Sequence, residues 1–209
     1  MKAIIFDFDG VILDSVSVKT EAFKQLYKSH GINVVEKVAK YHLANGGISR
    51  FEKFKYFHKN FLNINISNDE LVGLGEDFSR LVFKKVCESR YIPGAHEFLT
   101  FCSKKYLTFI CTGTPETEIK KILSSKNLDK MFNDIYGSPS SKTDIINRIS
   151  VNNNLKSNEI IFIGDAMTDY DASKNTNVDF IGVRNLDTQF PEHVILVDNL
   201  TEIIKLKNL

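Results

Sequence analysis

Two carboxylates lie two residues apart at the end of the first apolar segment of the chain. Residues 2–6 form an apolar run typical of a strand buried on both faces, and Asp7 and Asp9 come just after it. On extended backbone, residues two apart point to the same side, so we expect the two carboxylates to lie together. Such a pair is costly to bury unless a cation or a shared proton stabilises it. A solvated turn is the alternative, but apolar residues flank the pair, and we predict a chemical site.

Two further segments carry groups that suit a phosphate. Thr112-Gly113-Thr114 ends a predicted strand just before a helix, where a hydroxyl and helix N-terminal amides are placed to bind phosphate oxygens. Thr114 is equally well explained as the N-cap of that helix. Lys142 follows the turn 137–141 and could reach a phosphate or neutralise clustered acids, although alone it reads as a surface lysine.

A second pair of carboxylates lies late in the chain. Asp165 ends a predicted strand as Asp7 does, and Asp169 follows about one helical turn later, where an N-cap role is the simpler alternative. Oxygen ligands at a strand edge suit Mg²⁺, which takes one or two carboxylates together with phosphate and water. A calcium loop of the EF-hand type is the rival, but its spacing and closing Glu are absent.

The elements that must position these residues alternate between strand and helix on either side of a long helical stretch. We predict strands at 2–6, 107–112, 134–136, 159–163, 180–183 and 194–197. We predict helices at 15–29, 34–43, 49–61, 67–88, 95–104, 115–125, 142–152 and 169–174. The pattern predicts an α/β fold: a doubly wound, Rossmann-like parallel sheet with an inserted all-helical cap domain. The predicted domains are a catalytic core, 1–14 with 89–209, and the cap, 15–88, which stands over the carboxyl ends of the strands as a lid.

Composition excludes several classes of partner. The chain has 209 residues, 27 Lys and Arg against 26 Asp and Glu, and 43% hydrophobic residues. This balance gives no reason to expect nucleic acid or an anionic membrane as a partner. No apolar run is long enough to cross a bilayer, and the three cysteines have no metal-binding spacing. Because the chain starts with a strand pattern, we expect no signal peptide. We therefore expect a cytoplasmic protein that is a monomer or a weak dimer.

Together these residues resemble the four motifs of the haloacid dehalogenase (HAD) superfamily of phosphohydrolases, in order and across essentially the whole chain. The motif residues are Phe6-Asp7-Phe8-Asp9-Gly10-Val11, then Thr112-Gly113-Thr114, then Lys142, then Gly164-Asp165 with Asp169. The helical insert between the first two motifs is similar to the C1 cap of phosphoglycolate phosphatase-like enzymes and β-phosphoglucomutase-like mutases. One departure is Thr143 after Lys142, where relatives often carry proline.

The resemblance implies a role for each motif residue. Asp7 would be the nucleophile that becomes an aspartyl-phosphate, and Asp9 the general acid and base. Mg²⁺ would be held by Asp7, the backbone carbonyl of Asp9 and Asp165, with Asp169 positioning the cluster. The phosphoryl group would be bound by Thr112 and the Gly113 amide, with Lys142 offsetting its charge. Haloacid dehalogenases and phosphonatases of this fold typically lack an acid at the position of Asp9. The presence of Asp9 therefore argues against both activities.

The expected function is Mg²⁺-dependent hydrolysis of a small phosphate ester, for example a sugar phosphate. A phosphomutase of the β-phosphoglucomutase type and a catalytically silent phosphate-binding module are the alternatives. In the cap, the turn 45–50 is the most site-like stretch, and Arg50, more than Lys53, is a candidate for binding the leaving group. A plain turn with both side chains solvated is equally consistent with the sequence. We interpret all five histidines as structural or exposed.

Overall fold

The centre of the protein is a six-stranded parallel sheet. The structure, a computed structural model, describes residues 1–206. Its strands are Ala3–Phe6 (β1), Leu107–Pro115 (β2), Asp134–Ser138 (β3), Ile160–Gly164 (β4), Asp179–Val183 (β5) and Ile195–Val197 (β6). Their order across the sheet is β3-β2-β1-β4-β5-β6, and every neighbouring pair is parallel. The predicted doubly wound α/β sheet is therefore confirmed.

Helices cover both faces of this sheet because alternate residues of each strand point to opposite sides. The first four of the α-helices between β1 and β2 are Val16–Leu26 (α1), Ile32–Ala44 (α2), Arg50–Phe57 (α3) and Asn68–Glu88 (α4). The others are Ala95–Cys102 (α5), Glu116–Ser125 (α6), Lys142–Asn152 (α7), Met167–Thr176 (α8) and Glu202–Leu206 (α9). From β1, Ile4 and Phe6 pack with residues of α5 and α6, whereas Ala3 and Ile5 pack with residues of α7 and α8.

The helical stretch α1–α4 has an aromatic core of its own. Phe23 lies at its centre, with ring centroids 5.6 Å from Phe54, 5.6 Å from Phe57 and 4.4 Å from Phe78. A capping box begins α4, since Ser67 and Glu70 exchange hydrogen bonds. The residues of α1–α4 coincide with the predicted insert, and the domain boundaries themselves remain a prediction.

Some element boundaries differ from the prediction. β2 runs three residues further than expected and includes Thr112-Gly113-Thr114, with an irregularity in its pairing to β3 between Cys111 and Pro115. The helix predicted at 49–61 is α-helical only to Phe57, and a π-turn, His58–Leu62, completes it. The predictions omitted α9. Within residues 1–206, no helix combines the length and apolarity that a bilayer crossing requires.

This topology brings the predicted site residues to one edge. The chain order runs outward from β1 to β3 and then returns to β4 on the other side of β1. In open parallel sheets, ligands bind at the carboxyl ends of the strands beside this reversal. Asp7 follows β1 and Asp165 follows β4, so both stand at that position.

Candidate active site

Asp7 is fixed at the end of β1 with both carboxylate oxygens oriented. Its backbone N–H donates to the carbonyl of Ile163 at 2.9 Å, which continues the ladder between β1 and β4. The Phe8 N–H donates to Oδ1 at 2.7 Å, and Lys142 Nζ donates to Oδ2 at 3.0 Å. The residue is only 2% exposed. A carboxylate held this rigidly beside a cation suits nucleophilic attack on an anionic phosphate.

Three carboxylates meet at this point. Asp7, Asp165 and Asp169 each place an oxygen within 4.8 Å of the others. Burial, followed by the charges of Asp7 and Asp169, raises the pKa of Asp165 well above its ordinary value. Asp169 is fully buried, and burial raises its pKa to about 7 although Lys142 opposes the shift. An excess of buried negative charge with oxygen donors only is the environment that a hard divalent cation such as Mg²⁺ fits.

The three carboxylates differ in their contacts. Both oxygens of Asp169 are engaged, because Oδ1 accepts from Lys142 and Oδ2 accepts from the Ala166 N–H at 3.1 Å. Both oxygens of Asp7 also accept hydrogen bonds, from the Phe8 N–H and from Lys142. Asp165 lies against the loop after β1, where Gly10 has φ +79° and a Cβ would overlap the Asp165 carboxylate. The assignment of Asp7 and Asp165 as metal ligands and of Asp169 as the residue that positions them remains a prediction.

Lys142 begins α7 and points into the cluster. Its ammonium donates to Asp7 and Asp169 and is buried with them. Burial alone would lower the pKa of Lys142, but the neighbouring charges of Asp169 and Asp7 raise it above its ordinary value. The lysine is therefore a permanent cation in the site, and the alternative of a surface lysine is wrong.

Asp9 faces a separate set of partners from Asp7. Ser15 Oγ donates to its Oδ1 at 2.6 Å, Thr114 Oγ1 donates to its Oδ2 at 3.1 Å, and Lys19 forms an ion pair with it. Burial raises the pKa of Asp9, but the charge and hydrogen bonds of Lys19 outweigh it and the pKa is lowered overall. Lys19 Nζ also donates to Thr114 Oγ1 at 2.7 Å.

The sequence predictions missed this network around Asp9. Lys19 lies four residues after Ser15, on the same face of α1, so helical spacing alone could have indicated that both side chains return toward Asp9. Ser15 precedes α1, but its hydroxyl bonds to Asp9 and does not cap the helix. Thr114 is likewise part of β2 and of this network, whereas Pro115 occupies the N-cap position.

The predicted phosphate-binding residues Thr112 and Gly113 lie under the turn between α2 and α3. Thr112 is 1% exposed, and its Oγ1 accepts from the Thr114 N–H at 3.3 Å. A Cβ at Gly113 would overlap the carbonyl oxygen of Gly47, so the two backbones touch. Nearby, Thr168 Oγ1 donates to the Gly46 carbonyl at 2.7 Å. The helical insert thus closes directly over the end of β2.

Arg50 has a carboxylate partner of its own. Its Nη2 and Nη1 donate to Glu118 of α6 at 2.5 and 2.9 Å, and Nη1 also donates to Ser79 at 2.8 Å. The guanidinium lies 4.5 Å from the centroid of the Phe78 ring. Arg50 lines the cavity as predicted, yet its donors are engaged in joining the insert to α6. Its binding of a leaving group remains a prediction.

Lys53 and His42 form another buried pair in the insert. Lys53 Nζ lies 2.7 Å from His42 Nδ1, and both residues line the same cavity as Asp7 and Asp9. Burial lowers the pKa of Lys53 to about 7 and lowers that of His42 well below its ordinary value. The alternative in which Arg50 and Lys53 are both solvated is wrong, because both residues are buried.

Most of these residues line a cavity of about 530 Å³, whereas Lys142 and Asp169 are not among its lining residues. Its rim includes the segment 184–188 after β5, which carries a further residue that the sequence predictions missed. Asn185 Nδ2 donates to the backbone carbonyl of Asp165 at 2.6 Å and lies 3.4 Å from its Oδ2. The volume suits a small molecule enclosed between the sheet edge and the insert.

Comparison with known proteins agrees with this geometry. A sequence model of the family described as haloacid dehalogenase-like hydrolase matches residues 4–183. A phosphorylated carbohydrates phosphatase from Thermotoga maritima is 28% identical over 133 residues, which are 63% of this chain and 59% of that protein. The chain therefore aligns with less than two thirds of this relative.

Solved structures with this fold are also similar along their whole length. β-Phosphoglucomutase from Clostridium difficile has a TM-score of 0.79 at 22% identity, with 99% of this chain and 96% of that chain covered. A HAD hydrolase from Bacillus subtilis, determined bound to magnesium, has a TM-score of 0.73 at 16% identity, with 100% and 99% covered. At these identities the likeness establishes the fold alone.

Proposed function

The chain belongs to the haloacid dehalogenase-like hydrolase family, and on this basis we propose that it is a Mg²⁺-dependent phosphatase. Its substrate is a small phosphorylated metabolite, such as a sugar phosphate, and the reaction passes through an aspartyl-phosphate. The observation that carries this proposal is the arrangement of Asp7 beside Lys142, Asp165 and Asp169 at a cavity that Asp7 and Asp165 line. The phosphatase from Thermotoga maritima, whose name specifies phosphorylated carbohydrates, supports the substrate class.

In the first step, an oxygen of Asp7 attacks phosphorus and the bond from phosphorus to the leaving oxygen breaks. The attack needs charge compensation, because carboxylate and phosphate are both anions. Lys142 supplies a fixed positive charge next to Asp7. Thr112 and Gly113 lie at the end of β2, where a hydroxyl and an amide are available to the phosphoryl oxygens. A bound Mg²⁺, held by Asp7, Asp165 and the Asp9 carbonyl, would stabilise the charge that develops on those oxygens.

Asp9 handles the proton in both steps. It donates a proton to the leaving oxygen, and then removes a proton from the water whose oxygen attacks the phosphoryl group, which releases phosphate and restores Asp7. In the unliganded protein, Lys19 holds Asp9 ionised. The negative charge of an ester bound in the cavity raises the proton affinity of Asp9, so the proton is taken up when substrate binds.

A phosphomutase with the same first step is the second candidate. The observation in its favour is the contact of Gly47 with Gly113, which closes the insert over the phosphoryl site and would limit the access of water. Steady release of phosphate, with no isomer formed and no requirement for a bisphosphate, would exclude the mutase.

The proposal is tested by a screen of phosphate esters with Mg²⁺ present. We expect the wild type to release phosphate from at least one small ester and Asp7→Asn to be inactive on all of them. Asp171→Asn is the matched control, because Asp171 is an exposed carboxylate on α8 outside the cavity. Equal inactivity of the wild type and Asp7→Asn on every ester would favour a silent phosphate-binding module and would refute the enzyme claim.

A further inference from the structure

The insert contributes three buried or nearly buried cations to the wall of the cavity, and two of them are neutralised by carboxylates. Lys19 pairs with Asp9, and Arg50 pairs with Glu118. Lys53 is the third. Within residues 1–206, no carboxylate lies within ion-pair distance of its ammonium.

Lys53 is nevertheless as deeply buried as the apolar core. It is 2% exposed, and its Nζ has only His42 close by, with Nδ1 at 2.7 Å and the backbone carbonyl at 3.5 Å. The ring of Phe23 lies 5.8 Å away. Burying an ammonium without a counter-charge is strongly unfavourable, which is why burial lowers its pKa to about 7, assisted by the positive charge of Lys19.

His42 adds a second unsatisfied group to the same spot. Its Nε2 is buried and makes no well-aligned hydrogen bond among the described residues, although the backbone of Val16 is close enough to act on the ring. Burial and the charge of Lys53 keep the pKa of the ring well below its ordinary value, so the ring is neutral and its Nδ1 can accept from Lys53. Native structures rarely leave buried polar atoms unpaired, and a ligand is one way to satisfy them.

We propose that Lys53 determines the specificity for the leaving group, and that the substrates are phosphate esters whose leaving group carries a second anionic group. His42 positions the ammonium through its Nδ1. This inference rests on the proposed phosphatase function, and it names the substrate class of that same site. The second anion is a carboxylate or a second phosphate, since either provides the missing counter-charge.

A neutral, hydroxyl-bearing leaving group fits this wall less well. A hydroxyl accepts one hydrogen bond from Lys53 but leaves the buried positive charge uncompensated, whereas an anion compensates it. We assign the transferred phosphate to the sheet edge, where Lys142 and the carboxylate cluster lie, so it does not fill this role. A ligand that satisfies both Lys53 and the sheet-edge site carries two anionic groups.

The test compares matched esters with the wild type and Lys53→Met. One pair is 3-phosphoglycerate and glycerol 3-phosphate, which differ by a carboxylate, and the other is fructose 1,6-bisphosphate and fructose 6-phosphate. We expect the wild type to favour the acidic member of at least one pair, which identifies the anion. Lys53→Met should lower kcat/KM for that ester by about 10- to 100-fold, the value of a charge-assisted contact, and change its neutral partner by less than about threefold.

Two controls separate specificity from folding. Lys55→Met removes an exposed lysine from the same helix and should leave both ratios unchanged. Lys53→Arg retains the charge and should restore much of the acidic preference. An equal loss on both members of each pair would assign Lys53 a structural role and overturn the inference, as would a wild type that prefers the neutral ester in both pairs. The comparison of esters with the wild type remains possible even if the variants do not fold. Inactivity of the wild type on all phosphate esters would instead refute the proposed function itself.

Discussion

The buried ion pair between Arg50 and Glu118 provides the sharpest test of how the insert is held to the sheet. The side chains are 4% and 8% exposed, and the pair is bidentate, at 2.5 and 2.9 Å. It joins α3 to α6, which follows the end of β2 where Thr112 and Gly113 lie. Burial raises the pKa of Glu118, but the hydrogen bonds and charge of Arg50 reverse the shift and lower it overall.

Glu118→Gln keeps the shape of the side chain but leaves the Arg50 charge buried and unpaired. Removing one partner of a buried pair costs about 3–5 kcal/mol. The matched control is Glu116→Gln on the same helix, because Glu116 pairs with Lys120, whose side chain is 48% exposed. An exposed pair of this spacing contributes about 0.3–0.5 kcal/mol. The loss of unfolding free energy is therefore expected to be roughly ten times larger for Glu118→Gln than for Glu116→Gln.

Urea denaturation at pH 7 measures both variants against the wild type. Because the pKa of Glu118 is lowered by folding, its stabilising contribution is present above pH 4.5 and is lost as the pH falls through the folded value. The double variant Arg50→Met, Glu118→Leu should recover much of the loss, since an apolar pair needs no counter-charge. If Glu118→Gln is no more destabilising than Glu116→Gln, Arg50 is not held by Glu118, and it becomes a free cation available to substrate.

Three further predictions concern the carboxylate cluster and the lysines. Asp165→Asn should abolish the stabilisation that Mg²⁺ gives the wild type in thermal unfolding, whereas Asp171→Asn should retain it; an equal Mg²⁺ shift in both variants would exclude Asp165 as a ligand. Lys142→Met should lower kcat by about 10²–10³-fold with the fold retained by circular dichroism, and an unchanged kcat would contradict its role. The pKa of Lys53 is about 7 in the folded protein and 10.5 in the unfolded chain, so the unfolded state binds more protons between these values. From pH 7 to 8 this should stabilise the wild type by about 1 kcal/mol relative to Lys53→Met, and a pH-independent difference in urea denaturation would refute it.

The sequence predicted the sheet and its catalytic edge because both depend on local patterns. Apolar runs that end in Asp7 and Asp165 specify buried strands with carboxylates at their carboxyl ends, and parallel pairing places those ends together. The capping box at Ser67 also depends on a local pattern, since it needs only two residues three apart.

Pairings across the cavity could not be predicted in the same way. Arg50 was a reasonable candidate for binding an anion. Its partner Glu118, however, is 68 positions away, and no local pattern marks Glu118 as buried. The same is true of Lys53, whose burial depends on how α3 packs against the Phe23 cluster. These contacts depend on how the insert is placed relative to α6. The hydrophobic periodicity of the sequence does not specify that placement.

The central claim is that Asp7 becomes phosphorylated during turnover. The stereochemistry at phosphorus tests it most directly, with a phosphorothioate ester whose phosphorus is made chiral by two oxygen isotopes and which is hydrolysed in water labelled with the third. Attack by Asp7 followed by attack of water is two in-line displacements, each of which inverts the configuration. Two inversions predict inorganic thiophosphate with net retention, whereas net inversion would show that water attacks the ester directly and would contradict a phosphorylated Asp7.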